Sequence, residues 1–264
     1  MSSTTTSDRP SVLVTGASGL IGGLTISNLG QKYTFSGLSR RPVAGIPHIE
    51  ADISDLEAVR RACRGVDMVL HLAAETQDYN DWDRVFESTM RGTVNVFQAA
   101  QEAGVKRVVF MSSGSTMCGY EWFEGSPYGA LARGEEVAPG WRMLDHRDPP
   151  RPDGPYAAGK LFGENVGRWF SDKYGMSVLC IRLGAVLPSD RPELVRHFPG
   201  YLSQADAVQM IDCCLAAPLA LKYDIFDAIS DNSRRWRDTS HAKTVIGWHP
   251  SGSSDSFDPA ELHA

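Results

Sequence analysis

Residues 11–23, SVLVTGASGLIGG, constrain this chain more than any other stretch. Val12, Leu13 and Val14 form a short apolar run, the mark of a strand buried on both faces. Thr15-Gly16-Ala17-Ser18-Gly19 then turns, and Leu20-Ile21-Gly22-Gly23 opens a helix-periodic segment. A buried strand, a glycine turn and a helix N-terminus in succession make a seat for a dinucleotide pyrophosphate. Free amides and the positive end of the helix dipole face the phosphates, and glycine lets the backbone approach. Gly16-x-x-Gly19-x-x-Gly22 is one residue longer at its first gap than the GxGxxG fingerprint, and glycine triplets also occur in ordinary turns. Position decides here: the triplet follows a clean strand near the start of the chain. Gly16, Ser18, Gly19, Leu20, Ile21 and Gly22 are the expected seat.

The rest of the chain alternates in the same way. Strands are predicted at 32–38, 49–52, 68–72, 107–111 and 177–182, and helices at 55–64, 82–103 and 155–174. Such alternation predicts an α/β fold, a Rossmann-type doubly wound parallel sheet with helices on both faces. Ligands then bind at the C-terminal ends of the strands. Residues 11–185 are expected to form the dinucleotide-binding domain, with a long insertion or lid loop at 119–155. A small C-terminal substrate lobe is expected at 186–250, between a disordered polar leader (1–10) and a frayed Ser/Asp-rich tail (251–264).

Composition excludes several classes of partner. With 26 Lys+Arg against 32 Asp+Glu, net −6, there is no basic footprint for nucleic acid. No apolar run is long enough for a membrane span. The five cysteines are odd in number and form no CxxC pair, which fits reduced thiols in the cytoplasm rather than a disulfide frame or a zinc site. No metal is expected, and His71, inside a strand, reads as a core histidine.

The end of the second strand bears on the cofactor. A site selective for NAD places an acidic residue there to accept from the ribose 2′-OH. This chain has none between Gly16 and Glu50; it has Ser39-Arg40-Arg41, donors and charge suited to a 2′-phosphate. The expectation is NADP in preference to NAD, against the simpler reading of two solvated arginines. Asp52 and Ile53 follow the third strand, where the adenine would lie, and Leu72-Ala73-Ala74 are small enough to pass close to the cofactor.

Chemistry centres on Pro155-Tyr156-Ala157-Ala158-Gly159-Lys160. Tyr156 and Lys160 are four apart and share one helix face. A phenol of ordinary pKa near 10 is a poor base at neutral pH; an ammonium beside it would favour the phenolate, and Lys160 could also hold the nicotinamide ribose of the cofactor. Upstream, Ser112-Ser113-Gly114-Ser115 follows a strand, where a hydroxyl could hold a substrate oxygen. A Ser/Gly loop is the bland alternative.

Taken in order, TGASGLIGG, HLAA, FMSSGS and YAAGK resemble the extended short-chain dehydrogenase/reductase superfamily, the NAD-dependent epimerase/dehydratase group. The resemblance covers nearly the whole chain and implies a catalytic Ser–Tyr–Lys set with hydride transfer to or from a nicotinamide. The group usually carries Ser or Thr where this chain has Gly114, so Ser113 is the first choice for the catalytic hydroxyl, then Ser115, then Ser112. The segments RPDGPYAAGKLFGEN, IRLGAV, YLSQADAVQMIDCCL and ISDNSRRWRDTSHAKTVIGWHP look like uronate dehydrogenases and the related archaeal sugar-phosphate dehydrogenases.

That closer likeness implies oxidation of the anomeric hydroxyl of an anionic pyranose to a lactone. Thr76, Ser113, Gly114, Ser115 and Tyr156 would line the sugar site, and Arg182 would bind the anion unless it forms a structural ion pair. It also implies a homodimer through helices 82–103 and 155–174. Departures limit the transfer. Uronate dehydrogenases have Asn-His where this chain has Gly114-Ser115, an Asp where it has Ser39, and a shorter stretch before Tyr156. The aromatics of 119–155 either face a substrate or pack as a satellite core. An NADPH-dependent reductase of a non-sugar ketone, and an epimerase or dehydratase retaining its cofactor, stay as alternatives, with a non-catalytic NADP sensor behind them.

Overall fold

The computed structural model describes residues 9–262, so most of the expected leader lies outside the described residues. In chain order the elements are β1 (Ser11–Thr15), α1 (Leu20–Leu29), β2 (Thr34–Ser39), β3 (His48–Glu50), α2 (Leu56–Cys63) and β4 (Met68–His71). Next come α3 (Trp82–Arg84), a π-helical stretch (Val85–Arg91), α4 (Gly92–Glu102) and β5 (Arg107–Ser113). Two short 3-10 turns lead to α5 (Pro127–Ala132), α6 (Pro155–Tyr174) and β6 (Ser177–Leu183). The chain closes with α7 (His197–Gly200), α8 (Gln204–Ala216), β7 (Tyr223–Ala228) and α9 (Ser240–Ile246).

All strand pairings are parallel, in the order β3-β2-β1-β4-β5-β6-β7. Chain direction across the sheet reverses between β1 and β4, which opens a crevice at their C-terminal ends. Strand alternation divides the core. Val12, Val14, Leu70, Val109 and Ile181 pack toward α1 and α8, while Leu13, Val69, Val108, Phe110 and Cys180 pack toward α2, α4 and α6. Pro155 at the first helical position and Gly175 in left-handed conformation (φ +69°) bound α6 where the sequence predicts.

Two expectations are corrected, and the open alternative for 119–155 is decided. Residues 186–250 do not stand apart as a lobe: β7 extends the sheet, and α8 buries Val208, Ile211 and Leu215 in the same core as β1. Buried Arg107 ties α8 down, donating to the carbonyls of Leu215 (2.9 Å), Ala217 (2.5 Å) and Pro218 (2.8 Å) at the helix end. The tail is not frayed as far as it is described. Asp206 accepts from the Ser251 amide (2.8 Å) and the Gly252 amide (2.9 Å), and Ser254 is buried with its hydroxyl on the Phe198 carbonyl. Within 119–155 most aromatics make a satellite core: Tyr128, Leu131 and Leu144 pack with Met117 and Trp236, joined by Tyr120 and Trp141, whereas Trp122 and Phe123 stay exposed.

Candidate active site

A cleft of about 900 Å³ runs along the C-terminal ends of the strands, from the glycine turn to Lys160. At the turn, Gly16 has φ +71°, and a Cβ there would lie 2.9 Å from the Ala73 amide nitrogen. A Cβ on Gly22 would lie 2.7 Å from the Ala17 carbonyl oxygen. Only glycine fits either place. Helix α1 has Gly19 as its N-cap, with no side-chain cap and no acidic residue in its first turn, so its leading amides are left to an anion. Backbone packed this closely and a bare helix N-terminus suit a dinucleotide pyrophosphate. Ser18, Gly19, Leu20 and Ile21 line the same wall.

Further along, Ser39, Arg40, Arg41, Asp52 and Ile53 line the cleft. The Ser39 hydroxyl is engaged by its own loop, donating to the Arg41 carbonyl at 2.8 Å and lying 2.9 Å from His48 Nε2. The arginines are exposed on the rim, with Arg41 Nη2 3.4 Å from the Ser18 carbonyl. Asp52 accepts from the Ser54 amide at 2.9 Å. Leu72, Ala73 and Ala74 form the floor, followed by Thr76.

The opposite end gathers Ser113 from β5 with Tyr156 and Lys160 from α6. Ser113 Oγ accepts from the Ser115 amide (3.2 Å) and the Ser115 hydroxyl (2.8 Å). Burial pushes the Tyr156 phenol up to about 12, and its hydrogen bond with Ser113 works against that rise. Lys160 is 1 % exposed; it donates to the Met111 carbonyl at 2.8 Å and stands 5.5 Å from the Tyr156 ring centroid. Burial brings its amine down to about 7. The Nζ of Lys160 is turned to the Met111 carbonyl rather than hydrogen-bonded to the phenol. Burial disfavours the Lys160 ammonium and the Tyr156 phenolate alike, and the Ser113 hydroxyl counters the second effect.

Arg182 is the clearest correction. It is 2 % exposed and does not line the cleft; its Nε and Nη2 donate to the two carboxylate oxygens of Glu164 at 2.9 and 2.8 Å. Ser112 donates to the same carboxylate at 2.6 Å. A guanidinium whose fork is filled by a buried carboxylate is not offered to a substrate anion. Gly114 and Ser115 lie behind Ser113 and outside the cleft wall. Residues 183–186 and Pro188 do line it, although the reading of IRLGAV singled out only Arg182. Gly184 was the available signal, a glycine directly after a strand.

His71 is buried, within hydrogen-bond distance of Thr15 Oγ1 (2.8 Å) and Thr93 Oγ1 (3.1 Å), and burial brings its pKa down to about 3. It is a satisfied core histidine. The fold also assembles His146, Asp224 and His241, which sequence spacing did not reveal. The two rings stack with centroids 3.9 Å apart, and His241 Nε2 lies 2.8 Å from Asp224 Oδ1. One possible ligand atom from each of the three lies within 4.8 Å of the other two.

The sequence model of the NAD dependent epimerase/dehydratase family matches residues 12–241. The chain belongs to that family. Among its relatives is the NAD-dependent glucose-6-phosphate dehydrogenase of Haloferax volcanii, 32% identical over 95% of this chain and 96% of the relative. The L-arabinose 1-dehydrogenase (NAD(P)(+)) of the same organism is 30% identical over 92% of this chain and 97% of the relative. A crystal structure of a uronate dehydrogenase mutant from Agrobacterium tumefaciens, complexed with NAD, superimposes with TM-score 0.81 at 26% identity, covering 97% of this chain and 91% of that one. This epimerase/dehydratase-family chain is a nicotinamide-dependent oxidoreductase of the extended short-chain type.

Proposed function

We propose that the enzyme oxidises the anomeric hydroxyl of an anionic pyranose, a uronate or a sugar phosphate, to the lactone. The observation that carries this reading is Ser113, Tyr156 and Lys160 meeting at one end of a cleft whose other end is a dinucleotide seat. A nicotinamide dinucleotide supplies the hydride acceptor. Ser113 holds the reacting oxygen, Tyr156 removes its proton, and Lys160, whose Nζ is anchored on the Met111 carbonyl, holds the nicotinamide ribose. Thr76 faces the sugar, with Ser115 supporting Ser113. The relatives' names, glucose-6-phosphate and uronate dehydrogenase, support the anionic class.

NADP is the proposed cofactor of choice: no carboxylate ends β2, and Arg40 and Arg41 flank the cleft there. The site is proposed to work in the cytoplasm as a homodimer. All five cysteines are free thiols, and no helix among the described residues is long and apolar enough to cross a membrane. Trp82 and Phe86, stacked at 5.6 Å, and Trp169 are exposed along the helices that the dimer would join. A second reading, oxidation of a neutral aldose at the same carbon, is favoured by the sealing of Arg182 against Glu164, and a related L-arabinose dehydrogenase supports it.

The test is absorbance at 340 nm, with NAD and NADP each paired with uronates, hexose phosphates and neutral aldoses. Reduction with an anionic sugar is expected, and Tyr156→Phe should lose about 10³-fold in kcat while still binding cofactor. Turnover of neutral aldoses alone would select the second reading. Full activity of the Phe variant would refute the catalytic assignment.

A further inference from the structure

Gly114 stands between the two serines, and the volume its missing side chain leaves is occupied. A Cβ at 114 would lie 2.6 Å from Cζ of Arg237 and closer still to both Nη atoms. Arg237 is 3 % exposed and forms a parallel bridge with Leu144 of the satellite core. Its Nη1 reaches Asp227 of β7 at 3.4 Å, a long bond for a charged pair. Its Nε is the one buried side-chain polar atom among the described residues that has no hydrogen-bond partner.

The two buried arginines of this region therefore differ. Arg182 is held by a two-pronged carboxylate contact, whereas Arg237 has one long bond and an orphaned donor, so packing rather than pairing places it. What it packs on is the backbone of the serine turn, Gly114–Thr116. It cannot swing aside freely. Trp236 lies beside it (5.6 Å from Cζ to the ring centroid), and leaving would strand the buried Asp227 carboxylate.

We propose that Arg237 is the positioning residue of the serine turn: its guanidinium fills the place of a side chain at 114 and holds the Ser113 and Ser115 hydroxyls in register with Tyr156. Positions 114 and 237 then act as one unit, and glycine at 114 is required by an arginine more than one hundred residues later. The proposal rests on the reading of Ser113 as the hydroxyl that holds the reacting oxygen.

The experiment is a double-mutant cycle of Gly114→Ala and Arg237→Ala, with Ser113→Ala measured alongside. It is read as kcat and KM on whichever sugar of the panel turns over, and as melting temperature, which needs no substrate. Gly114→Ala should lose about 100-fold in kcat with KM nearly unchanged, as expected of a displaced but intact site. Arg237→Ala alone should lose about tenfold. The double variant should recover to the level of Arg237→Ala rather than fall by the product of the two losses, with matching non-additivity in melting temperature. Additive losses in both readouts, or a fully active Gly114→Ala, overturn the proposal. Should Gly114→Ala fail to fold, the double variant folding again supports the coupling, and its failing to fold counts against it. A Ser113→Ala enzyme of unchanged kcat would instead overturn the reading of Ser113, so the two failures are distinguishable.

Discussion

The two ends of the cleft are built by different means. The dinucleotide end is backbone: Gly16 and Gly19 lie in the turn after β1 and Gly22 in the first turn of α1, and what matters there is the absence of side chains. The opposite end is side chain. Ser113, Tyr156 and Lys160 arrive from β5 and α6, and behind them the Arg182–Glu164 pair draws in β6 while Arg237, packed on Gly114 and loosely paired with Asp227 of β7, draws in the segment before α9. A backbone seat is local, so residues adjacent in the chain complete it. A buried ionic brace needs partners that only the folded sheet brings together, and each charge it holds is stable only while its partner stays.

The largest expected effect lies at the brace. Glu164→Gln removes the carboxylate that holds both Arg182 and Ser112, leaving a buried guanidinium uncompensated, and should destabilise the protein by about 3–5 kcal/mol in denaturant unfolding. A loss within experimental error would mean that the brace does not distinguish this end. At the seat, Gly22→Ala presses a methyl onto the Ala17 carbonyl. It should weaken cofactor binding by about tenfold or more, read by quenching of protein fluorescence, at little expense to stability. A large fall in melting temperature with binding intact would reverse the comparison.

Lys160 joins both ends through pH. Its amine holds a proton less well when folded (about 7) than at the ordinary 10.5, so between those values the unfolded chain binds more protons. Stability should therefore rise with pH above about 7, by at most about 1.4 kcal/mol per unit, and flatten near 10.5. Lys160→Met should abolish that slope; an unchanged slope would assign it to other groups. The smallest effect belongs to the rim. Arg40→Ala should weaken NADP binding about tenfold and leave NAD nearly untouched, and equal losses would remove the case for a 2′-phosphate contact.

Legibility follows the same division. The strand, turn and helix of 11–29 and the helix Pro155–Tyr174 are readable because apolar period, glycine and proline act on neighbours. Strand β7, YDIFDA, was missed because Asp224 and Asp227 break its apolar run, yet both face partners that burial supplies, His241 and Arg237. Arg182 offered two roles in the sequence, and only the position of Glu164, eighteen residues earlier on α6, selects between them. Gly114 looked like a departure from a serine motif; the structure gives it a cause in Arg237.

By itself the sequence determined the parallel sheet, the dinucleotide seat and the Tyr156–Lys160 face, since periodicity and glycine conformation act over a few residues. Tertiary structure alone decided where the arginines point, how far Tyr156 and Lys160 are shifted by burial, and that the C-terminal residues finish the sheet rather than form a lobe. Those outcomes depend on desolvation and charge pairing between residues distant in the chain, and neither exists until the core has closed around them.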